Sequence, residues 1–352
     1  MKALETLIRE TIAAEGPMRL DRYMALCLGH PRHGYYMTRD PFGAGGDFVT
    51  APEISQLFGE LVGVWCATAW RMLGSPAPFN LVELGPGRGT LMGDILKAGR
   101  VMPGFREAAQ VHLVETSPVL RDAQARILGE GVAWHESLVT LAQGPMVLVA
   151  NEFFDALPIR QLEKRDGRWC ERVIGLDGEN LTIGLAPFAG RQNGEGADGD
   201  IIEFSPARTD VAQAIGARLA RHPGVALIID YGHLATAPGD SLQAMRRHKF
   251  AGLTDTPGDC DLTAHVDFEA LGKAIAAGGA AIHPAITQRA FLMAMGLAAR
   301  AEMLAARADA QQRIVMRRAV TRLAAADQMG NLFKVLAATS PGLAQPYPFG
   351  RS

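Results

Sequence analysis

The sequence predicts an α/β protein built on a mostly parallel, Rossmann-like β-sheet with helices on both faces. Short apolar runs alternate with segments of helical spacing between residues 79 and 231. The first apolar run ends in a glycine-rich turn, as strands of open α/β sheets do where they approach a ligand. We expect this sheet to be preceded by an N-terminal helical lid and to carry additional insertions.

The N-terminal segment is expected to form two amphipathic helices that end and restart near Gly16-Pro17. Apolar residues recur at helical spacing on both sides of this break: Leu4, Leu7, Ile8, Ile12, Leu20, Tyr23, Met24 and Leu28. Residues 30–55 form a connection rich in glycine, proline and aromatic side chains, which fits either a lid over a cofactor (45–55) or a surface loop. Helical spacing returns over 55–72.

The sheet itself is predicted from residues 79–84, 111–115, 132–135, 146–150 and 225–231. A helix is expected over 118–128, between two of these strands. The last run stays apolar until Asp230, as befits a central strand. Because open α/β sheets bind ligands at the carboxyl ends of their strands, the polar residues that follow each run are the candidate ligand contacts.

The glycine turn contains Gly85, Gly87 and Gly89, preceded by Glu83. A dinucleotide-binding fingerprint has glycines at its first, third and sixth places, and Thr90 occupies the sixth place here. The observed spacing resembles the first motif of class I S-adenosylmethionine (SAM) methyltransferases. A glycine turn in an ordinary sheet protein is the alternative.

Glu115 ends the second strand, where a carboxylate can accept both hydroxyl hydrogens of a ribose. A helix cap is the alternative role.

The fourth strand leads into Asn151-Glu-Phe-Phe-Asp-Ala-Leu-Pro158. Two carboxylates in one cleft, Glu152 and Asp155, are unfavourable unless they meet a cation or share a proton. The segment therefore favours a cationic ligand, such as the SAM sulfonium or a guanidinium, and helix capping is the alternative for Asp155.

Composition excludes several classes of protein. With 352 residues, 48% hydrophobic and 20% charged, the chain is typical of soluble globular proteins. A formal net charge of -2 gives no overall attraction to nucleic acid or anionic lipid. The four cysteines lack the paired spacing of metal ligands, so no metal is expected. The acidic N-terminus does not resemble a signal or transit peptide, and no apolar stretch is long enough to span a membrane, so we expect a cytoplasmic protein.

The glycine turn and several other segments carry unusual residue combinations. They are Gly46-Asp-Phe-Val-Thr-Ala-Pro-Glu-Ile-Ser-Gln56 with Phe58-Gly-Glu60, Glu83-Leu-Gly-Pro-Gly-Arg-Gly-Thr90, Asn151-Glu-Phe-Phe-Asp-Ala-Leu-Pro158, Asp230-Tyr-Gly-His233 and Asp261-Leu-Thr-Ala-His-Val-Asp-Phe268. Over roughly residues 1 to 340, this set resembles the MidA-like methyltransferases, which include the mitochondrial assembly factor of respiratory complex I.

The resemblance implies a class I methyltransferase fold and SAM as cofactor, bound at Gly85, Gly87 and Gly89 with Glu115 on the ribose. We expect Glu83, Thr50 and Pro52 to join this cofactor site. The mitochondrial relatives are protein arginine methyltransferases acting on a complex I core subunit, and the resemblance places this chain with bacterial members. Their eukaryotic counterparts reside in the mitochondrial matrix.

The predicted function is therefore a protein arginine N-methyltransferase acting on a complex I type subunit or another protein, with no nucleic-acid partner. A homodimer is left open. We predict Glu152, Asp155 and Asn151 as catalytic residues, with the two carboxylates clamping an arginine guanidinium. A contact to SAM is the alternative for Glu152.

Two other functions use parts of the same residue pattern. A dehydrogenase would place its ribose-binding acid about 20 residues after the first glycine, whereas Glu115 lies 30 after Gly85. A non-catalytic, SAM-binding assembly chaperone for a respiratory complex would retain the same motifs.

Outside the sheet, we predict a hairpin over 160–176 turning at Asp166-Gly167, a glycine-rich surface loop at 189–200 and a solvated basic run at 239–250. Residues 290–323 are expected to form two helices, one of which covers the core. The expected division is 1–78, N-terminal helices and lid loop packed on the core, and 79–352, the SAM-binding core with insertions at about 160–205 and 235–290 and C-terminal helices.

Overall fold

The computed structural model describes residues 3–41, 50–190 and 196–350. Its helices, in chain order, are α1 (Ala3–Glu15), α2 (Leu20–Gly29), α3 (Tyr35–Thr38), α4 (Ala51–Ile54), α5 (Gln56–Met72), α6 (Thr90–Ala98), α7 (Phe105–Ala108), α8 (Pro118–Leu128), α9 (Pro206–Arg221), α10 (Phe268–Ala277), α11 (Gln288–Ala294), α12 (Leu297–Ala305), α13 (Ala310–Ala324) and α14 (Met329–Leu332).

The strands are β1 (Met18–Arg19), β2 (Phe79–Leu84), β3 (Ala109–Val114), β4 (Val132–His135), β5 (Met146–Asn151), β6 (Arg160–Arg165), β7 (Arg168–Asp177), β8 (Asn180–Pro187), β9 (Ile201–Phe204), β10 (Gly224–His233), β11 (Gln243–Arg246), β12 (Lys249–Ala251), β13 (Asp261–Thr263), β14 (Val266–Asp267), β15 (Ala281–Ile282), β16 (Ile286–Thr287) and β17 (Phe333–Thr339).

The central sheet has the strand order β15-β17-β10-β5-β2-β3-β4. The strands from β10 to β4 are mutually parallel, whereas β17 runs antiparallel to β10. Apolar residues alternate along these strands between two hydrophobic clusters, one packed against α5 and α6 and the other against α9 and α10. The predicted α/β sheet with helices on both faces is confirmed.

A third hydrophobic cluster lies outside the sheet. It joins residues of α1 and α2, among them Ile8 and Met24, to the inserted strands through Ile159, Ile174 and Leu262. The predicted hairpin is present as β6 and β7, and β1 adds to it with Met18 opposite Ile174. The N-terminal helices and the inserted strands thus share a core of their own.

The C-terminal part differs from the sequence prediction in two ways. Residues 288–324 form three helices rather than two, because Gly296 adopts a left-handed φ of 92° before α12 and Asp309 caps α13. The sequence analysis also missed β17, whose seven residues are all buried. Of the predicted lid and glycine-rich loop, residues 42–49 and 191–195 lie outside the described residues.

In the described ranges, no helix combines the length and apolar character needed to cross a membrane. The basic run around 239–250 contributes the hairpin of β11 and β12, with Arg247, His248 and Lys249 exposed at its turn.

Candidate active site

The glycine turn connects β2 to α6. Gly85, Gly87 and Gly89 have φ angles of 58°, 52° and 86°, a left-handed region that side chains rarely adopt. At Gly85, an added Cβ would lie 2.8 Å from Cδ2 of Phe153. The backbone therefore requires small residues where the sheet edge opens toward the site.

Glu115 follows β3 and faces the turn. One of its carboxylate oxygens accepts a hydrogen bond from the Ser117 amide at 2.8 Å, and the other accepts from Nε2 of Gln124 at 3.2 Å. Each oxygen has a second lone pair available for a ligand hydroxyl.

Gln124 is fully buried and links the elements around Glu115. Its Nε2 also donates to the carbonyl oxygen of Gly87 at 2.7 Å, and its Oε1 accepts from Nε1 of Trp134 at 2.8 Å. A single amide thus fixes the glycine turn relative to Glu115. The sequence analysis missed this residue, since a glutamine in a helix carries no local signal of such contacts.

The segment after β5 is bent at Glu152, which has a positive φ of 50°. Its Oε1 accepts hydrogen bonds from the Ala51 amide at 3.0 Å and from Nδ2 of Asn151 at 3.2 Å. Asp230, in the C-terminal half of β10, lies behind this bend, and its Oδ2 accepts from the amides of residues 153, 154 and 155 at 3.2, 2.9 and 3.2 Å. Asp230 therefore shapes the backbone of the segment.

Arg208 holds the same segment from the other side. Its guanidinium donates to the carbonyl oxygens of Phe154 at 2.7 Å and Asp155 at 3.1 Å, and to those of Ala264 at 2.9 Å and His265 at 2.7 Å. Burial lowers the pKa of Arg208, and the neighbouring carboxylates of Asp230 and Asp155 oppose that shift. The sequence did not single out this arginine.

Both flanks of residues 42–49 lie on the glycine turn. Oδ2 of Asp40 accepts from Nε of Arg88 at 2.8 Å, and Oε1 of Glu53 accepts from the Thr90 hydroxyl at 2.7 Å. Together with the amide of Ala51 on Glu152, these bonds bring the start of α4 to the site.

A cavity of about 510 Å³ opens in front of these elements. Of the predicted site residues, it is lined by Thr50, Gly85, Gly87, Glu115, Glu152 and Asp155. A smaller pocket of about 40 Å³ adjoins it at the turn and adds Pro52, Glu83 and Asn151. Gly89 lines neither space; it precedes α6, where an added Cβ would lie 3.3 Å from Leu128.

The carboxylates are the charged groups among the described residues that line the main cavity. Glu115, Glu152, Asp155 and Asp261 face it, and no lysine or arginine lines it within the described ranges. Burial raises the pKa of Glu152 to about 7 and that of Glu83, at the smaller pocket, to about 8. It also raises the pKa of Glu115 and of Asp155, although the Tyr231 hydroxyl opposes the shift at Asp155. Such carboxyls are poised for a cationic ligand.

A second cavity, of about 960 Å³, lies beside the first. The two share Gln243, Phe250 and His265 as lining residues. Phe250, on the β11–β12 hairpin, is 77% exposed, which places a large apolar side chain at the boundary between the cavities.

The site fits SAM by the chemistry of its residues. A left-handed glycine backbone gives close access, Glu115 retains acceptor capacity for ribose hydroxyls, and Glu152 is a carboxyl suited to a positive charge.

Comparisons with known proteins agree with this chemistry. A family described as "Putative S-adenosyl-L-methionine-dependent methyltransferase" matches residues 61–286. The chain is 37% identical to the mitochondrial protein arginine methyltransferase NDUFAF7 homolog of Drosophila melanogaster, covering 95% of this chain and 84% of the relative. It is 34% identical to mitochondrial NDUFAF7 of Danio rerio, covering 95% and 86%.

A solved structure shares the whole fold. The COG1565 superfamily member from Burkholderia thailandensis, bound to S-adenosyl-homocysteine, superposes with a TM-score of 0.86 at 30% identity, over 99% of this chain and 96% of that one. The predicted class I methyltransferase fold and its SAM cofactor are thereby confirmed. The chain belongs to this family of S-adenosyl-L-methionine-dependent methyltransferases.

Proposed function

We propose that the protein is a protein arginine N-methyltransferase, with a subunit of a complex I type respiratory enzyme as the first substrate to test. The observation that carries this proposal is the cavity beside the glycine turn, which four carboxylates line without a lysine or arginine from the described residues. A guanidinium remains charged at any physiological pH, so an acidic cavity next to the cofactor site favours it over neutral acceptors. The names of the relatives support the same substrate class.

The cofactor is assigned to the side of the cavity nearest the turn. The residues proposed to hold it are Gly85, Gly87, Glu83, Glu115, Thr50 and Pro52, which line the two spaces, while Gly89 is proposed to shape the turn through its left-handed backbone. When bound there, SAM supplies a methyl group on a positively charged sulfur, whose departure as a neutral thioether needs no further activation. The protein's main task is therefore to place the acceptor nitrogen in line with that methyl group.

Asp155 is proposed to orient the acceptor. It is 6% exposed, lines the cavity, and its Oδ1 has no hydrogen-bond partner in the parts of the chain that the structure describes. Transfer of a methyl group to a guanidinium displaces one N–H proton, and this free carboxylate oxygen is suited to accept it.

Glu152 lies where the small pocket meets the main cavity, so it serves the cofactor's positive charge as well as the acceptor. Asn151 is proposed to fix the Glu152 carboxylate through its side-chain amide.

A protein substrate suits the second cavity. Its volume of about 960 Å³ exceeds that of the first cavity. Because the two cavities meet at Phe250 and His265, the second can hold the substrate residues next to the target arginine. The names of the relatives place those proteins in mitochondria. For a bacterial member, we propose that the equivalent subunit is met in the cytoplasm.

The proposal is tested by transfer of labelled methyl from SAM to a purified complex I core subunit, with methylated residues located by mass spectrometry. We expect methylarginine with the wild-type protein and a rate lowered ~10- to 150-fold with Asp155→Asn, since hydrogen bonds to charged groups contribute that much. An Asp122→Asn variant, which changes an exposed residue of α8, controls for the altered charge. Label on lysine or on nucleic acid contradicts the proposal, and SAM binding without transfer to any protein favours a SAM-binding chaperone.

A further inference from the structure

Asp261 faces the same cavity as Asp155 but belongs to a different part of the fold. Asp155 follows β5 of the central sheet, whereas Asp261 begins β13 in the inserted region. Both carboxylates line the cavity, and they are 6% and 4% exposed. The two acidic groups therefore reach the cavity from different parts of the fold, which a 3.1 Å hydrogen bond from the Ala264 amide to the Asp155 carbonyl joins.

Tyr36 fixes the position of Asp261. Its hydroxyl donates a 2.8 Å hydrogen bond to Oδ1 of Asp261, and its ring lines the cavity. Its backbone carbonyl accepts from the Ser117 hydroxyl at 2.6 Å, next to the loop that carries Glu115. The wall that holds Asp261 is thus connected to the cofactor side of the site.

Both aspartates line the same cavity as Tyr36 and Tyr231. Burial raises the pKa of Tyr36 well above its ordinary value, and negative charge on Asp261 and Asp155 raises it further. The pKa of Tyr231 is likewise raised by burial and then by Asp155, with a smaller contribution from Asp261. Both carboxylates are therefore within electrostatic reach of both hydroxyls.

Two positive charges must be compensated in the cavity, one on the cofactor and one on the acceptor. A sulfonium and a guanidinium side by side repel each other in a cavity that excludes most water, so each needs its own compensating carboxylates. Glu152 also lines the small pocket at the glycine turn, and Gln124 links Glu115 to that turn, whereas Asp155 and Asp261 line only the main cavity.

On the basis of the proposed arginine methyltransferase function, we infer that Asp155 and Asp261 form a two-sided clamp that binds the acceptor guanidinium between the central sheet and the inserted region. Asp261 contacts the side of the guanidinium opposite Asp155, and Tyr36 is the positioning residue that holds Asp261. Oδ1 of Asp155 is buried and has no hydrogen-bond partner among the described residues, and Asp155 lines the cavity, so this oxygen is the independent sign of a missing hydrogen-bond donor.

The clamp also balances the transfer step. The acceptor nitrogen forms a bond to the methyl carbon while the carbon–sulfur bond breaks. The electron pair of the broken bond remains on sulfur. The displaced N–H proton passes to Asp155, and Asp261 keeps the product guanidinium paired.

The inference is tested first by binding. Saturation-transfer NMR with N-acetyl-arginine amide, in the presence of S-adenosylhomocysteine, measures the acceptor site without turnover. We expect wild type and Asp122→Asn to bind this probe and the neutral N-acetyl-citrulline amide to show no transfer. Asp261→Asn should weaken binding at least ~10-fold and Tyr36→Phe by ~2- to 10-fold, while S-adenosylhomocysteine affinity by calorimetry stays within about twofold in all variants.

Steady-state kinetics with the protein substrate then distinguish a role of Asp261 in acceptor binding from a merely structural one. Asp261→Asn should raise KM for the protein substrate and lower kcat, whereas a merely structural role would change both cofactor affinity and thermal stability. Wild-type affinity of Asp261→Asn for the arginine probe overturns the clamp, as does failure of the wild-type protein to bind it. Probe binding that depends on Asp261, without methyl transfer to any arginine, supports the clamp and overturns the proposed function instead.

Discussion

Proton release at Glu152 gives a quantitative test of where the positive charge of SAM lies. Burial raises the pKa of this carboxyl from 4.5 to about 7, which means that the fold favours its protonated form. The difference amounts to about 3 kcal/mol, by which the ligand-free fold loses stability as the pH rises from 4.5 to about 7. At pH 6, roughly nine in ten Glu152 side chains carry the proton.

A cation bound beside Glu152 reverses this preference, because it favours the ionised carboxylate. SAM binding should then expel close to one proton below pH 7, and the association constant should rise by up to ~10-fold per pH unit between about 5 and 7. The ammonium and carboxylate of SAM keep their charges in that range, so they do not imitate the effect.

Isothermal titration calorimetry in two buffers of different ionisation enthalpy measures both the proton release and the pH slope. Glu152→Gln should lower the slope by the share that Glu152 contributes, leaving any contribution of Glu83, whose pKa is also raised, and the surface variant Asp122→Asn should preserve the wild-type slope. Equal slopes in wild type and Glu152→Gln, or affinity that falls as the pH approaches 7, would refute a cation at Glu152.

Three further substitutions test the supporting elements. Gly87→Val should abolish SAM binding in a protein that still folds, since a β-branched side chain at a φ of 52° is strained and enters the ligand space; calorimetry and circular dichroism measure the two effects. Gln124→Leu removes the link between the turn and Glu115, which should weaken S-adenosylhomocysteine ~10-fold and lower the free energy of unfolding by about 1–3 kcal/mol in denaturant titrations. Arg208→Met removes the positive charge opposite the buried carboxylates of Asp230 and Asp155 and should cost about 3–5 kcal/mol of unfolding free energy, less at pH 5 than at pH 8, because protonation neutralises carboxyls of raised pKa.

Each of these expectations has a clear contrary result. Retained SAM affinity in folded Gly87→Val protein would remove the turn from the cofactor site. An unchanged S-adenosylhomocysteine affinity in Gln124→Leu would show that the turn holds its shape without the amide. A pH-independent loss in Arg208→Met would mean that the arginine acts by packing rather than by charge.

Much of the sheet could be predicted because its signal is local. The alternation of apolar strands with helical segments gives the βα order, and the left-handed turn at 85–89 requires glycines that are visible in the sequence. Glu115 and Glu152 follow their strands directly, so the rule on carboxyl ends brought them to one site.

The rest depends on contacts between distant residues. Residues 333–339 contain lysine, leucine and two alanines, which favour a helix, and pairing with β10 overrides that preference. Arg208 reaches the carbonyls of Phe154 and Asp155 from more than 50 positions away, and Tyr36 reaches Asp261 from 225 positions away. Spacing within the sequence carries no trace of such pairs.

The third hydrophobic cluster unites the N-terminal helices with the inserted strands. Substitutions in this cluster can therefore alter one wall of the cavity without altering the core of the central sheet. Tyr36 and Asp261 stand on that cluster, whereas the turn at 85–89 stands on the sheet. If the proposed clamp binds the acceptor, substitutions in the third cluster can therefore weaken acceptor binding while the sheet continues to bind cofactor. Substitutions at residues 36 and 261, rather than in the glycine motif, are therefore expected in relatives that bind SAM but do not transfer its methyl group.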